Sequence, residues 1–502
     1  MPTPLLVRLF AASTACGLPA QLLAPPLEVP WSHPTDAPAR LLLGDVDLDA
    51  DLDVVVFGLD GAIHVLFGDG LGGLSAPVTT VVAPSLNTRA ALLDTDADGY
   101  LDVVVSTYGP GLPATVHRLR GDGTGVFHPA GAVIGVGIEF HATNLDGDGH
   151  PDLLSVGGGQ VAVAAGAPGG GFLPASFSPT PVGAPGPWIV GGYLSGDLDG
   201  DGAMDLVVAG GLGPTTVMYG DGLGGFRSGQ VLPFSAFVPR ALADFDGDGL
   251  LDLVAGDSVG GLGLFRNSAV GFGAPSPIQG QTAYYEPAAA ADLDGDGNVD
   301  LVAGFAASLQ VLLGDGAGGF APPQGYSIPR SHRIAIGDLD SDGRADVVSV
   351  GEGFVRVLRN VAPVFPGNVV FGDGTPGCGG TIGARGTRLP RPGTADFRVQ
   401  FTNVPPAREG LLLVGAPFVA GWEAPGLGLR LHLWVLLYTS PMQGTIDGTA
   451  SHGCPIPNAP SLIGSTVHLQ SVWVADPGRG DTCSLAALEL VSSRGLSITI
   501  QP

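Results

Sequence analysis

Seven short stretches of this 502-residue chain place oxygen-bearing side chains at positions 1, 3, 5 and 9 of a nine-residue loop. They are Asp45, Asp47, Asp49 and Asp53; Asp94, Asp96, Asp98 and Asp102; Asn144, Asp146, Asp148 and Asp152; Asp197, Asp199, Asp201 and Asp205; Asp244, Asp246, Asp248 and Asp252; Asp292, Asp294, Asp296 and Asp300; and Asp338, Asp340, Asp342 and Asp346. Carboxylates on alternate residues of a tight loop suit a hard cation, because Ca²⁺ takes about six to eight oxygens at ~2.3–2.6 Å. Position 6 is Gly in six stretches and Ala50 in the first, where such a loop must turn sharply. Position 7 shares no chemistry (Asp51, Tyr100, His150, Ala203, Leu250, Asn298, Arg344), as expected where only the backbone carbonyl is used. The expectation is up to seven structural Ca²⁺ ions.

An EF-hand would carry Glu at its twelfth position. Here that position holds Val56, Val105, Ser155, Val208, Ala255, Ala303 and Ser349, so these are not EF-hands. Instead each loop runs into a short apolar, β-branched segment such as Asp53–Phe57 or Asp300–Gly304, which predicts a buried strand. One Asp/Gly cluster is ordinarily a solvated turn; seven in phase are better explained as cation sites.

The first positions recur every 46–53 residues. Within each unit the order is apolar segment, acidic loop, apolar strand, third strand, Gly-rich turn and a last extended stretch. The turn reads Gly68-Asp-Gly-Leu-Gly-Gly-Leu74, Gly121-Asp-Gly-Thr-Gly-Val-Phe127, Gly220-Asp-Gly-Leu-Gly-Gly-Phe226 and Gly314-Asp-Gly-Ala-Gly-Gly-Phe320, with degenerate forms at Gly166–Phe172 and Arg266–Phe272. Asp-Gly and Gly-Gly supply the positive φ of a tight hairpin, so these glycines are read as turns and not as a phosphate cradle. Four strands per unit, seven times over, predict a seven-bladed β-propeller, which leaves only short protected sheet edges. The seventh unit lacks a clear fourth strand after Leu358-Arg-Asn360, and Leu18–Pro30 resembles the fourth strands elsewhere. The N-terminal stretch is therefore expected to close the ring as the outer strand of blade seven.

These residues resemble the FG-GAP/VCBS repeats of integrin alpha-subunit propellers and of many secreted bacterial proteins, over about residues 20–365. The resemblance implies a calcium loop between the first and second strands of each blade, on the face opposite the usual ligand surface. It also implies a scaffold, since the family serves adhesion, lectins and some polysaccharide lyases. Departures stand at Asn144, Ala50 and the degenerate hairpins, and the third site is expected to bind more weakly.

Pro363–Gly380 is a Pro/Gly-rich junction, and beyond it come longer alternating strands without acidic loops: Phe397–Phe401, Leu411–Val414, Leu429–Tyr438, Val467–Val474 and Leu496–Ile500. The fold class expected is all-β, a seven-bladed propeller with calcium loops over residues 18–365 and a smaller β-sandwich-like domain over 366–502. That second domain resembles one common on large secreted proteins of environmental bacteria. It holds Cys378, Cys454 and Cys483, with Cys454–Cys483 the preferred bridge and Cys378–Cys454 the alternative. Residues 1–17 read as a secretory leader interrupted by Arg8, or else as a misassigned start, and Cys16 raises a lipoprotein reading weakened by Ser13. No apolar run reaches the ~18 residues of a membrane span.

Composition narrows the function. All 21 basic residues are Arg, which rules out a Walker A lysine and Schiff-base chemistry. Net charge is −26, and the loops supply most of it; residues 372–502 balance to zero. With no basic stripe, a nucleic-acid partner is not expected. Gly256-Asp-Ser258-Val-Gly260 matches an esterase pattern but lies between two strands, outside the strand–turn–helix context that the elbow needs. Arg479-Gly-Asp481 is ascribed to chance. Residues just before each first strand should rim the central opening: Trp31, His33, Arg89, Trp188, Arg240, Tyr284, Tyr285, Glu286, His332 and Arg333, with Arg40 in register with Arg89 and Arg333. Such a rim suits acidic sugars or peptide acids, or it simply anchors neighbouring loops. The leading expectation is a secreted or cell-surface, monomeric, non-enzymatic scaffold that binds an extracellular glycan or protein. The alternative is a carbohydrate-active enzyme such as a polysaccharide lyase, with His332 and Arg333, or His141 and Glu139, at the rim.

Overall fold

In a computed structural model the chain is described over residues 22–31, 38–82, 86–109, 112–133, 135–137, 140–157, 160–179, 193–209, 214–235, 238–256, 261–278, 288–305 and 308–361, and over nine strands beyond residue 367. The first described part is seven four-stranded antiparallel sheets. Blade one is Pro38–Gly44, Asp53–Gly58, Ala62–Leu66 and Val78–Val81; blade two is Leu86–Leu93, Asp102–Gly109, Leu112–Gly121 and Phe127–Val133. Blade three is Phe140–Thr143, Asp152–Gly157, Gln160–Ala164 and Ser176–Pro179; blade four is Tyr193–Gly196, Asp205–Val208, Pro214–Gly220 and Phe226–Ser235. Blade five is Val238–Ala243, Asp252–Gly256, Leu262–Phe265 and Ser276–Ile278; blade six is Ala288–Ala291, Asp300–Phe305, Ser308–Leu312 and Gln324–Tyr326. Blade seven is Arg333–Gly337, Asp346–Gly351 and Phe354–Leu358, and its fourth strand is Leu27–Pro30 from the start of the chain.

The second strands are apolar without alternation because both of their faces are covered. Val54 and Val56 pack with Val348, Val350, Val355 and Val357 of blade seven. Val55 and Phe57, pointing the other way, pack with Val103, Val105 and Leu119 of blade two. Among the described residues seven buried clusters fall one to each blade junction, so the core is a circle of seven interfaces. The outer strands are wet, as in Val78–Val81, where only Thr80 is half-buried.

Closure is as the sequence predicts. Leu27, Glu28, Val29 and Pro30 pair antiparallel with Val357, Arg356, Val355 and Phe354. Arg356 is 1% exposed, and its Nε donates to Glu28 Oε1 at 2.7 Å while Nη1 donates to the Gly351 carbonyl at 2.9 Å. A charge so buried is tolerated only when paired. Ahead of the strand, the Leu22 and Leu23 amides donate to Tyr326 Oη at 3.0 and 3.1 Å, tying the segment to blade six. The sequence expectation began at Leu18, and residues 18–21 lie outside the described residues.

Past residue 367 the strands form two further antiparallel sheets. In one, Asn368–Phe371, Gly495–Thr499, Thr466–Val474, Glu409–Glu423 and Arg430–Gln443 lie in that order, with Leu490–Ser492 also on Thr466–Val474. In the other, Arg398–Thr402 stands between Gly383–Gly386 and Ala450–Gly453. The four cysteines, the Arg479-Gly-Asp481 tripeptide and the leader lie outside the described residues.

Candidate metal centres and the opposite rim

Every candidate metal residue falls in the link between the first and second strands of its blade, and position 9 is in each case the first residue of the second strand. The position-9 aspartates are 0–1% exposed, and both of their oxygens are used. Oδ2 accepts the position-2 amide (Val46, Thr95, Leu145, Leu198, Phe245, Leu293, Leu339) at 2.7–3.2 Å. Oδ1 accepts the amide where the chain leaves the third strand (Gly68, Gly121, Gly166, Gly220, Asn267, Gly314, Asn360) at 2.7–2.9 Å. The aspartate thus staples two turns on the same end of the blade.

The other positions shape the loop. The position-5 carboxylates Asp49, Asp98, Asp148, Asp201, Asp248, Asp296 and Asp342 each accept the position-7 amide at 2.8–2.9 Å. Six position-1 aspartates accept the position-6 amide at 2.8–3.0 Å. Asn144 has one acceptor oxygen, and the Gly147 amide takes it at 2.9 Å. Positions 4 and 6 are left-handed in all seven loops: Leu48 and Ala50, Ala97 and Gly99, Gly147 and Gly149, Gly200 and Gly202, Gly247 and Gly249, Gly295 and Gly297, Ser341 and Gly343. The need at position 6 is legible in the sequence; that at position 4 is hidden because Leu48, Ala97 and Ser341 stand there.

These bonds turn carboxylates inward. Asp45, Asp47 and Asp53 present oxygens within 4.8 Å of one another, as do Asp94, Asp96 and Asp102; Asp197, Asp199 and Asp205; Asp292, Asp294 and Asp300; and Asp244, Asp246 and Asp248. The donor set fits a hard divalent ion, and so do its orphans. Asp45 Oδ1, Asp96 Oδ1, Asp246 Oδ1 and Asp340 Oδ1 are buried with no hydrogen-bond partner, a state that costs free energy unless a cation satisfies it. Burial, then neighbouring carboxylates, push Asp45, Asp53 and Asp252 up to about 7, and Asp152 and Asp205 to about 6. Asp300 and Asp346 are raised well above the usual carboxylate range by the same causes. A bound cation would hold all of them ionised.

Two further sets of residues escape sequence reading. The position-2 carbonyl of one blade accepts a bond from the hairpin of the next: Gly125 N to Val46 O at 3.0 Å, Gly171 N to Thr95 O at 3.2 Å and Gly318 N to Phe245 O at 3.0 Å. In blades five and seven an asparagine side chain just past the third strand makes the bond instead, with Asn267 Nδ2 on Leu198 O and Asn360 Nδ2 on Leu293 O, both at 2.7 Å. The second set is the guanidiniums that lean on the loops, described below.

All seven loops lie within four matches to the FG-GAP-like repeat family, over residues 45–105, 144–208, 244–303 and 292–349; each match runs from one loop through the next. The ring is an FG-GAP repeat β-propeller. No curated protein matches the chain. Among solved structures it is similar to an Agrocybe aegerita lectin described as recognising non-reducing terminal N-acetylglucosamine, at 24% identity over 57% of this chain and 80% of that one, with a TM-score of 0.44. It is also similar to BBS1N in complex with ARL6DN, at 11% identity over 68% of this chain and 97% of that one, with a TM-score of 0.47.

The FG-GAP ring places the far ends of its innermost strands away from the loops. Arg40, Arg89 and Arg333 pair there with Phe57, Ser106 and Val350, each the fifth residue of its second strand, and all three are half-buried. Their blades, one, two and seven, are consecutive around the closed ring. His332 is half-buried beside them, and Arg240 occupies blade five. Trp31 does not belong to the rim: it is 2% exposed, sits edge-on to His64 with centroids 5.1 Å apart, and packs in the junction of blades seven and one. As the residue directly after the closing strand, with its amide bonded to Gly353 O, it is drawn inward. His33, Trp188, Tyr284, Tyr285, Glu286 and Glu139 lie outside the described residues. His141 Nε2 meets Ser195 Oγ at 2.5 Å between the innermost strands of blades three and four.

Proposed function

We propose that the protein is a secreted, calcium-stabilised binding scaffold without catalytic activity, whose ligand is an extracellular glycan or protein bearing acidic groups. The observation that carries this reading is the division of charge between the two ends of the ring. One end spends its carboxylates on loop geometry and on converging oxygen sites, while the other offers Arg40, Arg89 and Arg333 at one register in three consecutive blades. Guanidiniums in such an arc match carboxylates or sulfates with directed, charge-assisted bonds. Calcium at the loops is supported by the orphaned oxygens and the donor chemistry, up to one ion per loop. FG-GAP repeat propellers are typically extracellular, and among the described residues no helix is long and apolar enough to cross a membrane. Residues 18–365 then act as the binding ring and 366–502 as a second module, in a monomer.

A glycan array probed with purified protein in calcium tests the reading. Binding to acidic glycans should weaken with salt and fall at least tenfold in the Arg40→Ala, Arg89→Ala, Arg333→Ala triple variant. Unchanged binding in that variant would move the site off this rim. One observation favours a second reading, eliminative cleavage of an acidic polysaccharide: burial and the neighbouring Arg330 and Arg333 hold His332 below the usual imidazole range, which keeps a neutral base beside a cation. Absence of unsaturated product on incubation with any array hit would discard it.

A further inference from the structure

We propose that loop two carries its own cation: the Arg118 guanidinium takes the place that calcium takes in other loops, and this loop binds no metal. The comparison rests on the calcium reading above. Arg118 lies in the third strand of blade two, opposite Val104. The same register in the other blades holds Val65, Val163, Val217, Leu264, Val311 and Val357, all buried aliphatics. A charge at a core position is costly unless paired, and Arg118 is paired into the metal cluster itself. Its Nη2 lies 2.8 Å from Asp96 Oδ2 and 3.4 Å from Asp102 Oδ2, and its Nε donates to Thr95 Oγ1. Asp96 and Asp102 are positions 3 and 9, two of the three carboxylates that converge with Asp94. Arg120 adds a second guanidinium, 2.6 Å from Asp98 and 3.1 Å from Asp96.

The surroundings accommodate this arrangement. The blade-three hairpin closes over loop two through Gly170 and Gly171; a Cβ on Gly170, whose φ is +101°, would lie 2.4 Å from Asp96 Cβ and 3.3 Å from Arg118 Nη2. Elsewhere the arginines only lean on the rim of their loops. Arg227, Arg266 and Arg359 have side chains about half exposed and touch position 3 or 5, and Arg344 holds position-5 Asp342. Of these arginines Arg118 alone reaches a position-9 aspartate. A divalent ion set among Asp94, Asp96 and Asp102 would face that guanidinium at short range, and the repulsion acts in a poorly hydrated site. Asp96 keeps its Oδ1 without a partner, so the rival outcome is a metal held beside the guanidinium.

Equilibrium dialysis of the full chain against calcium, with bound metal counted per chain, separates the two. Asp292→Asn should lose one ion, Asp94→Asn should lose none, and Arg118→Met should gain one. Loss of an ion in Asp94→Asn, or no gain in a folded Arg118→Met, overturns the proposal; should Arg118→Met not fold, Asp94→Asn decides alone. If neither wild type nor Asp292→Asn differs from zero, the calcium reading fails, while a gain in Arg118→Met would still uphold the guanidinium in loop two.

Discussion

Loops one and six hold their carboxylates through the same backbone bonds but reach that state from opposite local chemistry. In loop six, Gly295 and Gly297 occupy the two left-handed positions, where a side chain would be strained. In loop one those positions are Leu48 and Ala50, with φ of 64° and 76°. Asp53 nonetheless binds Val46 N and Gly68 N at 2.8 and 2.9 Å, and Asp300 binds Leu293 N and Gly314 N at 2.8 Å each. The buried position-9 carboxylate therefore dictates the loop, and glycine only relieves the strain of obeying it.

The comparison breaks most sharply at the staple. Asp53→Ala and Asp300→Ala should each strand two amides beneath a blade end, at about 1–3 kcal/mol per group, so both variants should lose roughly 2–6 kcal/mol in denaturant melts. If loop one tolerates the change and loop six does not, the two loops are not built alike. In chelator the pH profile comes next. Burial first, and then nearby carboxylates, push Asp45 and Asp53 up to about 7 and Asp300 well above its ordinary value. A folded-state pKa above the unfolded one means that the folded loop prefers the protonated acid. On this count the metal-free protein keeps its full stability below about pH 4 and loses it as pH rises through about 7. Its melting temperature should accordingly fall between pH 5.5 and pH 8, while calcium, which binds the carboxylate form, should remove or reverse the fall. A flat profile in chelator would mean that these acids are not buried as described.

Smaller effects sharpen the contrast. Ala50→Gly should stabilise loop one and Gly297→Ala should destabilise loop six, each by about 1 kcal/mol, because only the loop that already bears strain has any to lose. Equal signs in the two loops would refute that account. The smallest change expected is at loop three, where Asn144→Asp supplies the second acceptor oxygen for the Gly149 amide and one more charge toward a cation. It should raise the calcium-dependent gain in melting temperature by about half a degree, a shift of the size expected from a few tenths of a kcal/mol.

Much of this was legible in the residues. Spacing alone located all seven loops, the four-strand order and the N-terminal closing strand, because Asp, Gly and β-branched runs each report a local backbone demand. What stayed hidden depends on contacts between blades. Position 4 carries no residue signature in loops one, two and seven, where Leu48, Ala97 and Ser341 are left-handed all the same. Asn267 and Asn360 look like ordinary turn residues until their side chains are seen spanning to the preceding blade. Trp31 was expected on the rim because the sequence gives its place in order but not the direction in which the closing strand turns it. Arg118 reads as an ordinary strand arginine until its register against Val104 shows what stands there in every other blade.

The central claim is that the loops are calcium-dependent supports, and thermal melts of the full chain in calcium, in magnesium and in chelator test it most directly. A site with a Kd on the order of 10⁻⁴–10⁻³ M gains about 0.4–1.4 kcal/mol at millimolar calcium, and several such sites sum to roughly 3–8 kcal/mol, comparable with the whole stability of a typical domain. The account predicts a melting temperature about 4–11 °C higher in calcium than in chelator, with magnesium close to chelator because it gives up its waters reluctantly. Equal melting temperatures in calcium and chelator would contradict it.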